Sequence, residues 1–349
     1  MLPAVRPTLI LDAMGADLGS AEMILGAQHA IARSKSHPFD LVVVVAESPE
    51  EEARHKAVLE AACKGTGCKV EFIHAQPLPK SLESPLDAYR RNPDCSINVA
   101  MRRAKDTPAC AVVSPGTTGL VMTSALFTLG RVRGIDRAPI GTPMPTAGKE
   151  LFFVDGGSNV DCKPLHLYQF AVLAHLYEKH VHGVEKPTIG LLSNGTEDYK
   201  GDTLVKEAYK LIDADKDLNF IGYIEGHTLF EGAVDIMVCD GFIGNVFLKT
   251  AEGVAEALVH IFREEFKRDP LAGIAAKLLQ QSAFKRVRWR LGFEQFGGAP
   301  LLGLNGNVVI CHGRSTATAI TNALSVGYKL AQSNIAQSVA QYIESHWQR

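Results

Sequence analysis

Residues 233–250 read Ala233-Val234-Asp235-Ile236-Met237-Val238-Cys239-Asp240-Gly241-Phe242-Ile243-Gly244-Asn245-Val246-Phe247-Leu248-Lys249-Thr250. An apolar run short enough for a buried strand ends in Asp-Gly-Phe-x-Gly-Asn and passes into a helical pattern. That order places a carboxylate, an amide and free backbone N–H groups at the carboxyl end of one strand, where open α/β sheets bind ligands. The same residues also serve as turn and cap chemistry: Asp240 can cap a turn, the glycines permit close packing, and Asn245 can cap the helix. The stretch fixes a strand-to-helix unit and leaves its chemistry to the rest of the chain.

On either side, short apolar strands recur at 9–11, 41–45, 70–73, 109–113, 151–154, 188–192, 219–221, 235–239 and 307–310. Each leads through a Gly- or Pro-marked loop into a helix-period segment, which predicts an α/β fold: a mainly parallel sheet with helices on both faces. No repeat or linker-like composition interrupts the pattern, so 1–349 is expected to form a single α/β domain. The stretch 139–148, with three prolines and two glycines, reads as a long surface loop. From Gly253 to about Leu291 two helical patterns follow one another, broken at Asp269-Pro270, and predict a helical hairpin over 253–291 standing off the sheet. In its second arm Leu271, Ile274 and Leu278 fall at helical spacing, followed by Lys285, Arg286, Arg288 and Arg290. This is either a core-facing stripe with a solvated basic end, or a dimer-forming hairpin whose tip touches anionic lipid or an acidic carrier protein.

The 349 residues are 46% hydrophobic, enough for a sizeable core, and 36 Lys and Arg against 38 Asp and Glu give a formal charge of −2. No global field argues for nucleic acid. The seven cysteines form no C-x-x-C pair and read as reduced thiols, with no metal site and no cofactor expected. The first residues lead directly into a strand without a charged-then-apolar segment, and no apolar stretch approaches the ~20 residues of a membrane span. These features predict a cytoplasmic protein, unless it lies on a membrane surface.

Chemistry is expected in the strand-end loops. Asp12-Ala13-Met14-Gly15-Ala16-Asp17 follows the first strand; Ser114-Pro115-Gly116-Thr117-Thr118-Gly119 combines hydroxyl donors, glycines and a helix start, which suits a phosphate without a lysine clamp. The loop from Asp155 to Pro164 carries Asp, Asn159 and Lys163, and the loop from Ser193 to Asp202 carries Lys200 between glycines, where a solvated helix lysine is not the ready explanation. A further loop, 296–306, leads through a strand into Cys311-His312-Gly313-Arg314-Ser315. With the stretch around Asp240 these suggest one composite anion site. G-x-G-x-x-G after the first strand, G-x-x-x-x-G-K-[ST], H-E-x-x-H and G-x-S-x-G are all missing, which argues against dinucleotide, P-loop, zincin and serine hydrolase chemistry.

In this order, over nearly the whole chain, the loops resemble the PlsX family of phosphate acyltransferases, which move a fatty acyl group from acyl carrier protein to inorganic phosphate. The resemblance is carried by DAMGAD at 12–17, SPGTTG at 114–119, VDGGSNVDCKP at 154–164, GLLSNGTEDYKG at 190–201, NFIGYIEG at 219–226, DIMVCDGFIGNVFLKTAEG at 235–253, GGAPLLGLNG at 297–306 and CHGRS at 311–315. Departures fall in the loops: Ala16 stands where the family usually has glycine, Pro115 to Gly119 where it has Ala-Gly-Asn-Thr-Gly, and Ser193 to Glu197 where it has Asn-Ile-Gly-Glu-Glu. Gly157-Ser158-Asn159 likewise replaces Gly-Ala-Asn, and Gly222 to Gly226 replaces Gly-Asn-Val-Glu-Gly.

The resemblance implies a fold of the isocitrate/isopropylmalate dehydrogenase kind with a protruding hairpin, and catalytic roles for Lys200 and Asn245. It also implies acyl carrier protein and phosphate as substrates, a homodimer peripherally attached to an anionic membrane surface, and an acyl-phosphate-using glycerol-3-phosphate acyltransferase downstream. The residues themselves suggest the finer roles. Asp240 positions a donor or accepts the phosphate proton, and Asp12, Gly15, Ser114, Gly116, Thr117, Thr118, Gly119, Asn159 and His312 build the anion site. The hairpin residues Leu271, Ile274, Leu278, Lys285 and Arg286 are the expected membrane contact. Two alternatives stay open: a short-chain phosphotransacylase using coenzyme A, and a catalytically weak paralogue that binds carrier protein or membrane. A thiol nucleophile, with Cys239 the best placed, is a rival mechanism without support from the resemblance.

Overall fold

The computed structural model describes residues 5–77, 84–268 and 295–346. The chain first builds β1 (Thr8–Asp12), α1 (Ser20–Arg33), β2 (Asp40–Val45), α2 (Pro49–Cys63), β3 (Lys69–His74), α3 (Pro85–Arg91), α4 (Ser96–Lys105), β4 (Cys110–Ser114) and α5 (Thr118–Thr128). It continues with β5 (Gly141–Met144), β6 (Leu151–Val154), α6 (Pro164–Tyr177), β7 (Thr188–Leu192), α7 (Thr203–Ala214), β8 (Asn219–Ile224), β9 (Ile236–Val238) and α8 (Gly241–Arg268). The last elements are β10 (Ala299–Leu301), β11 (Asn307–Ile310), α9 (Ala317–Gln332) and α10 (Ile335–His346).

Among the described residues these strands make two sheets, of order β10-β11-β4-β1-β2-β3 and β5-β6-β9-β7-β8. All neighbours are parallel except β10 with β11 and β5 with β6. The second sheet is inserted in the chain between β4 and β11 of the first. The two meet at their antiparallel edges, where Ile140 bridges Leu301 and the Leu302 N–H donates to the Pro139 carbonyl at 2.9 Å.

Each expected strand is present. The sheet continues into two places expected to be loop: β5 lies within 139–148, its four residues buried, and β10 lies within 296–306. Pro143 and Pro300 sit inside these strands, which is tolerable because each strand forms the border of its own sheet, where one side needs no regular ladder. The hairpin expectation also changes: α8 runs unbroken from Gly241 to Arg268, so Gly253 lies inside a helix. Residues 269–291, including Leu271, Ile274, Leu278, Lys285 and Arg286, lie outside the described residues.

Alternation along the strands feeds cores on both faces. Leu9 and Leu11 of β1 pack with α1 and α9, while Ile10 packs with α4 and α5. The first of these cores runs on through Val132, Ile135 and Leu302 to Phe152, Val154 and α6, so the two sheets share one interior. Helix α6 is buried from His166 to Tyr177, as a helix apolar all round must be. On the far face of the second sheet Phe247, Leu248 and Ala251 anchor the start of α8 against Phe153 and Met237. Beyond that turn Val254, Leu258, Val259, Ile261 and Phe262 are exposed. Among the described residues no helix is long and apolar enough to cross a membrane.

Candidate active site

The candidate loops gather in two groups, one at the carboxyl ends of each sheet's parallel strands. In the first, β1, β4 and β11 are neighbours, so residues 12–17, 114–119 and 311–315 leave the sheet side by side. Asp12 closes β1 and is buried; its Oδ2 accepts the Ser114 hydroxyl at 2.7 Å and its Oδ1 the Met14 N–H at 3.1 Å. Burial pushes the Asp12 carboxyl above its ordinary value, against the opposing pull of hydroxyl bonds from Ser114 and Ser96 and backbone bonds from Met14 and Gly15. The carboxyl thus staples the first loop to the second. Gly15 is needed for that approach, since a Cβ there would stand 2.5 Å from the Gly116 nitrogen.

Above this staple the Gly116 N–H donates to Ser114 Oγ at 3.1 Å, and Thr117 starts α5 from an extended conformation without a side-chain cap. The Thr118 and Gly119 N–H groups, orphaned by the helix start, have no hydrogen-bond partner among the described residues, and Thr117 and Thr118 are exposed. They form an anion-attracting helix terminus. The Cys311 N–H donates to the Ser114 carbonyl at 2.8 Å, bringing the last loop alongside. Exposed His312 accepts the Arg314 N–H at Nδ1 over 3.1 Å, so the neutral imidazole carries its proton on Nε2 as a donor.

The second group is organised by Asp155, fully buried at the end of β6. Its Oδ1 accepts N–H groups of Ile140, Gly157 and Ser158 at 3.0–3.1 Å, and its Oδ2 accepts from the Asn159 backbone at 2.7 Å and side chain at 2.8 Å. Asn159 Nδ2 also donates to the Ala138 carbonyl at 3.1 Å, so its amide nitrogen is committed to the loop. Asp240 caps α8, accepting the Phe242 and Ile243 N–H groups at 2.9 and 3.0 Å, while the Gly241 N–H donates to the Asn159 carbonyl at 2.8 Å. The first turn of α8 lies directly on the β6–α6 loop: a Cβ on Gly244 would overlap the Asp155 carbonyl oxygen at 1.9 Å. Exposed Asn245 is thereby set against Gly157.

Lys200 stands in the β7–α7 loop, which is closed by the Gly201 N–H to Asn194 Oδ1 at 2.8 Å and by Asp202 capping α7 through the Val205 N–H at 2.8 Å. The lysine is half-buried, its ammonium 5.4 Å from the Tyr199 ring centroid, and it forms no ion pair among the described residues. A cation held in a structured loop without a carboxylate is suited to an anionic ligand. No hydrogen bond or ion pair among the described residues joins Lys200 or Asn245 to the first group.

The three thiols nearest these loops, Cys162, Cys239 and Cys311, are held toward the protonated form. Burial pushes Cys162 and Cys311 up to about 12 and Cys239 well above the ordinary thiol range, with the Asp155 and Asp240 charges adding to the rise at Cys239 and Cys162. A reactive thiolate needs the opposite shift. Sequence reading noted the acid of the loop from Asp155 to Pro164 without giving it a role, and did not single out Ser96. A signal for the first existed: in Asp155-Gly156-Gly157-Ser158-Asn159 an acid precedes N–H donors two, three and four residues on, the pattern of a carboxylate closing its own loop. Ser96 reaches Asp12 from a different helix, which no local pattern reveals.

Buried carboxylates brace the glycine loops, and an open helix terminus and a loop lysine without a carboxylate partner among the described residues give this α/β architecture two features suited to an anionic ligand. Its fold is shared with phosphotransacylases. A phosphotransacetylase from Streptococcus pyogenes superposes with a TM-score of 0.58 at 16% identity, over 93% of this chain and 94% of that one. A branched-chain phosphotransacylase from Enterococcus faecalis gives 0.57 at 12% identity, over 95% and 100%. Residues 8–338 match the family described as fatty acid synthesis protein. A phosphate acyltransferase from Pelotomaculum thermopropionicum is 40% identical over 337 residues, covering 97% of this chain and 95% of the relative. Another from Dictyoglomus turgidum is 42% identical over 332 residues, covering 95% and 96%. The chain belongs to the PlsX family of phosphate acyltransferases.

Proposed function

We propose that this protein transfers a fatty acyl group from the thioester of acyl carrier protein to inorganic phosphate, releasing the carrier thiol and an acyl phosphate for phospholipid synthesis. Family membership over nearly the full chain carries the reading, and Lys200, unpaired among the described residues, with an open α5 terminus supports it. A phosphate oxygen attacks the thioester carbonyl, the C–O bond forms, and the C–S bond breaks as thiolate departs. Because the leaving group is good and phosphate is already anionic, the protein has only to hold the reactants together and stabilise the oxyanion. Lys200 and Asn245 orient phosphate or polarise the carbonyl. Asp240, fixed as the α8 cap, accepts the phosphate proton or holds the helix start that presents Asn245. His312 and the N–H groups of Thr117, Thr118 and Gly119 bind the anion, with Asp12, Gly15, Gly116 and Asn159 shaping the loops; Ser114, expected to touch the anion, is fully buried with its hydroxyl given to Asp12 and shapes the loops with them.

The finer reading places one α/β domain over 1–349 on the cytoplasmic face of an anionic membrane as a homodimer, passing acyl phosphate to a glycerol-3-phosphate acyltransferase. The exposed apolar residues of α8 support an association surface. Incubating purified protein and phosphate separately with acyl carrier protein thioesters and coenzyme A thioesters, and trapping acyl phosphate with hydroxylamine, tests the reaction. Product from carrier thioesters supports it; product from short-chain coenzyme A thioesters alone would replace it with a phosphotransacylase; no product from either would leave a binding paralogue.

A further inference from the structure

The geometry points to a docking surface for an acidic face of the acyl-carrying protein, in the groove where α3, α4 and α5 meet. This rests on the acyl-transfer reading above and adds where the carrier sits. The groove is an open cavity of about 550 Å³. The stacked rings of Tyr89 and Phe127, with centroids 5.4 Å apart and planes at 24°, form part of its wall, and Phe127 is 61% exposed. Arg90, Arg102 and Lys105 also line it, with Asp106 the one acidic side chain among them. Arg102 pairs with exposed Asp94 at 3.0 Å, whereas Arg90 and Lys105 have no carboxylate partner among the described residues.

A chain of net charge −2 has no general excess of cations, so this face concentrates positive potential locally. Exposed aromatics beside arginines are the composition of a protein-binding patch, and the uncompensated charges select an acidic partner. The groove is also tied to the anion loops. Helix α3 touches both ends of α5: Pro85 lies where a Cβ on Gly119 would be 2.8 Å away, and Tyr89 stacks on Phe127. The 11 residues of α5 therefore separate groove from loop by about 16 Å at the helical rise. A carrier seated there needs to extend its thioester by about one helix length to bring it to the Thr118 and Gly119 N–H groups.

The test is the double substitution Arg90→Glu with Lys105→Glu, and separately Phe127→Ala, each checked for folding by circular dichroism. KM for the carrier-linked thioester and Kd for fluorescently labelled carrier should rise roughly 10-fold in the charge-reversed protein, and the salt dependence of wild-type kcat/KM should flatten. The kcat and the KM for phosphate should stay as they are, and Phe127→Ala should weaken carrier binding in the same direction. Should charge reversal prevent folding, Arg90→Ala with Lys105→Ala is read in its place. Unchanged carrier Kd in a folded variant overturns the docking surface while leaving the acyl-transfer reading intact. So does a variant that loses binding to anionic phosphatidylglycerol vesicles, or its dimeric state, at constant carrier Kd. Wild-type protein that neither binds carrier nor uses its thioester overturns both.

Discussion

Lys200 and Asp12 illustrate two different uses of a charge. Lys200 is held half-buried in a loop, unpaired with any carboxylate among the described residues. Replacing it with alanine should leave the fold intact and lower kcat by about 100-fold or more, the usual loss when a group stabilising the developing oxyanion is removed. Asn245→Ala should behave likewise; steady-state rates on carrier thioester, with the melting temperature as the control, check both. Asp12 is a buried anchor whose protonated form the interior favours. With its acidity weakened on folding, the native state holds the proton over a pH interval in which the unfolded chain has released it. Stability from this group is therefore lost as pH rises from the ordinary carboxylate range through the raised folded value, and is level above it. Asp12→Asn lacks that slope. Denaturant unfolding at a series of acidic to neutral pH values should show the variant gaining on the wild type across the interval; parallel curves would mean that Asp12 titrates as it does in water.

At the scale of elements, α8 joins packing to chemistry. Asp240 caps it and Asn245 stands one turn on, so an effect of Asp240→Ala on activity has two sources. Loss of the cap should cost about 1 kcal/mol of stability. Asp240→Ser restores a capping oxygen without a carboxylate: thermal unfolding should recover while kcat stays low if the carboxylate takes the phosphate proton, and both should recover if it only caps. The strand-to-helix units, including this one, were legible because β1, β4, β6, β7 and β9 are nearly continuous apolar runs that end in glycine-marked loops. Helix α8 was legible in position but not in extent, because Gly253, which reads as a boundary, has open space where a Cβ would stand and is simply carried within the helix. The short antiparallel strands β5 and β10 were not legible. Each carries proline and borders its sheet, and what makes it a strand is antiparallel pairing with the strand that follows it, Pro143 opposite Phe152 and Pro300 opposite Val309, which no apolar run or turn dipeptide announces. The candidate loops could be read one at a time; their sorting into two hydrogen-bonded groups depends on strand order, which local patterns do not encode.

At the scale of the whole molecule, whether the two groups serve one substrate is measurable as coupling. Lys200→Ala, Ser114→Ala and the double variant should show non-additive losses of kcat/KM, with an interaction of about 0.5 kcal/mol or more, if both stabilise one transition state; strict additivity would mean two independent sites. The exposed apolar residues of α8 beyond its packed first turns give a second expectation, for Val254→Asp with Leu258→Asp. If they form the seam of the proposed homodimer, sedimentation should shift from dimer to monomer while the single chain stays folded, because these side chains are already exposed in it; a persistent dimer would place the association surface elsewhere. The insertion of the second sheet also bears on the order of synthesis. Ala111 in β4 pairs with Asn307 in β11, so the open flank of β4 must wait for nearly 200 residues to be translated before its neighbour exists. At roughly 5–20 residues per second that is an interval of about 10–40 s on the ribosome. Throughout it a strand that is buried along its whole length in the finished fold presents an unpaired ladder, a template for pairing with other nascent chains. Slow elongation anywhere between β4 and β11 should therefore be more harmful to the yield of soluble protein than the same delay before β4.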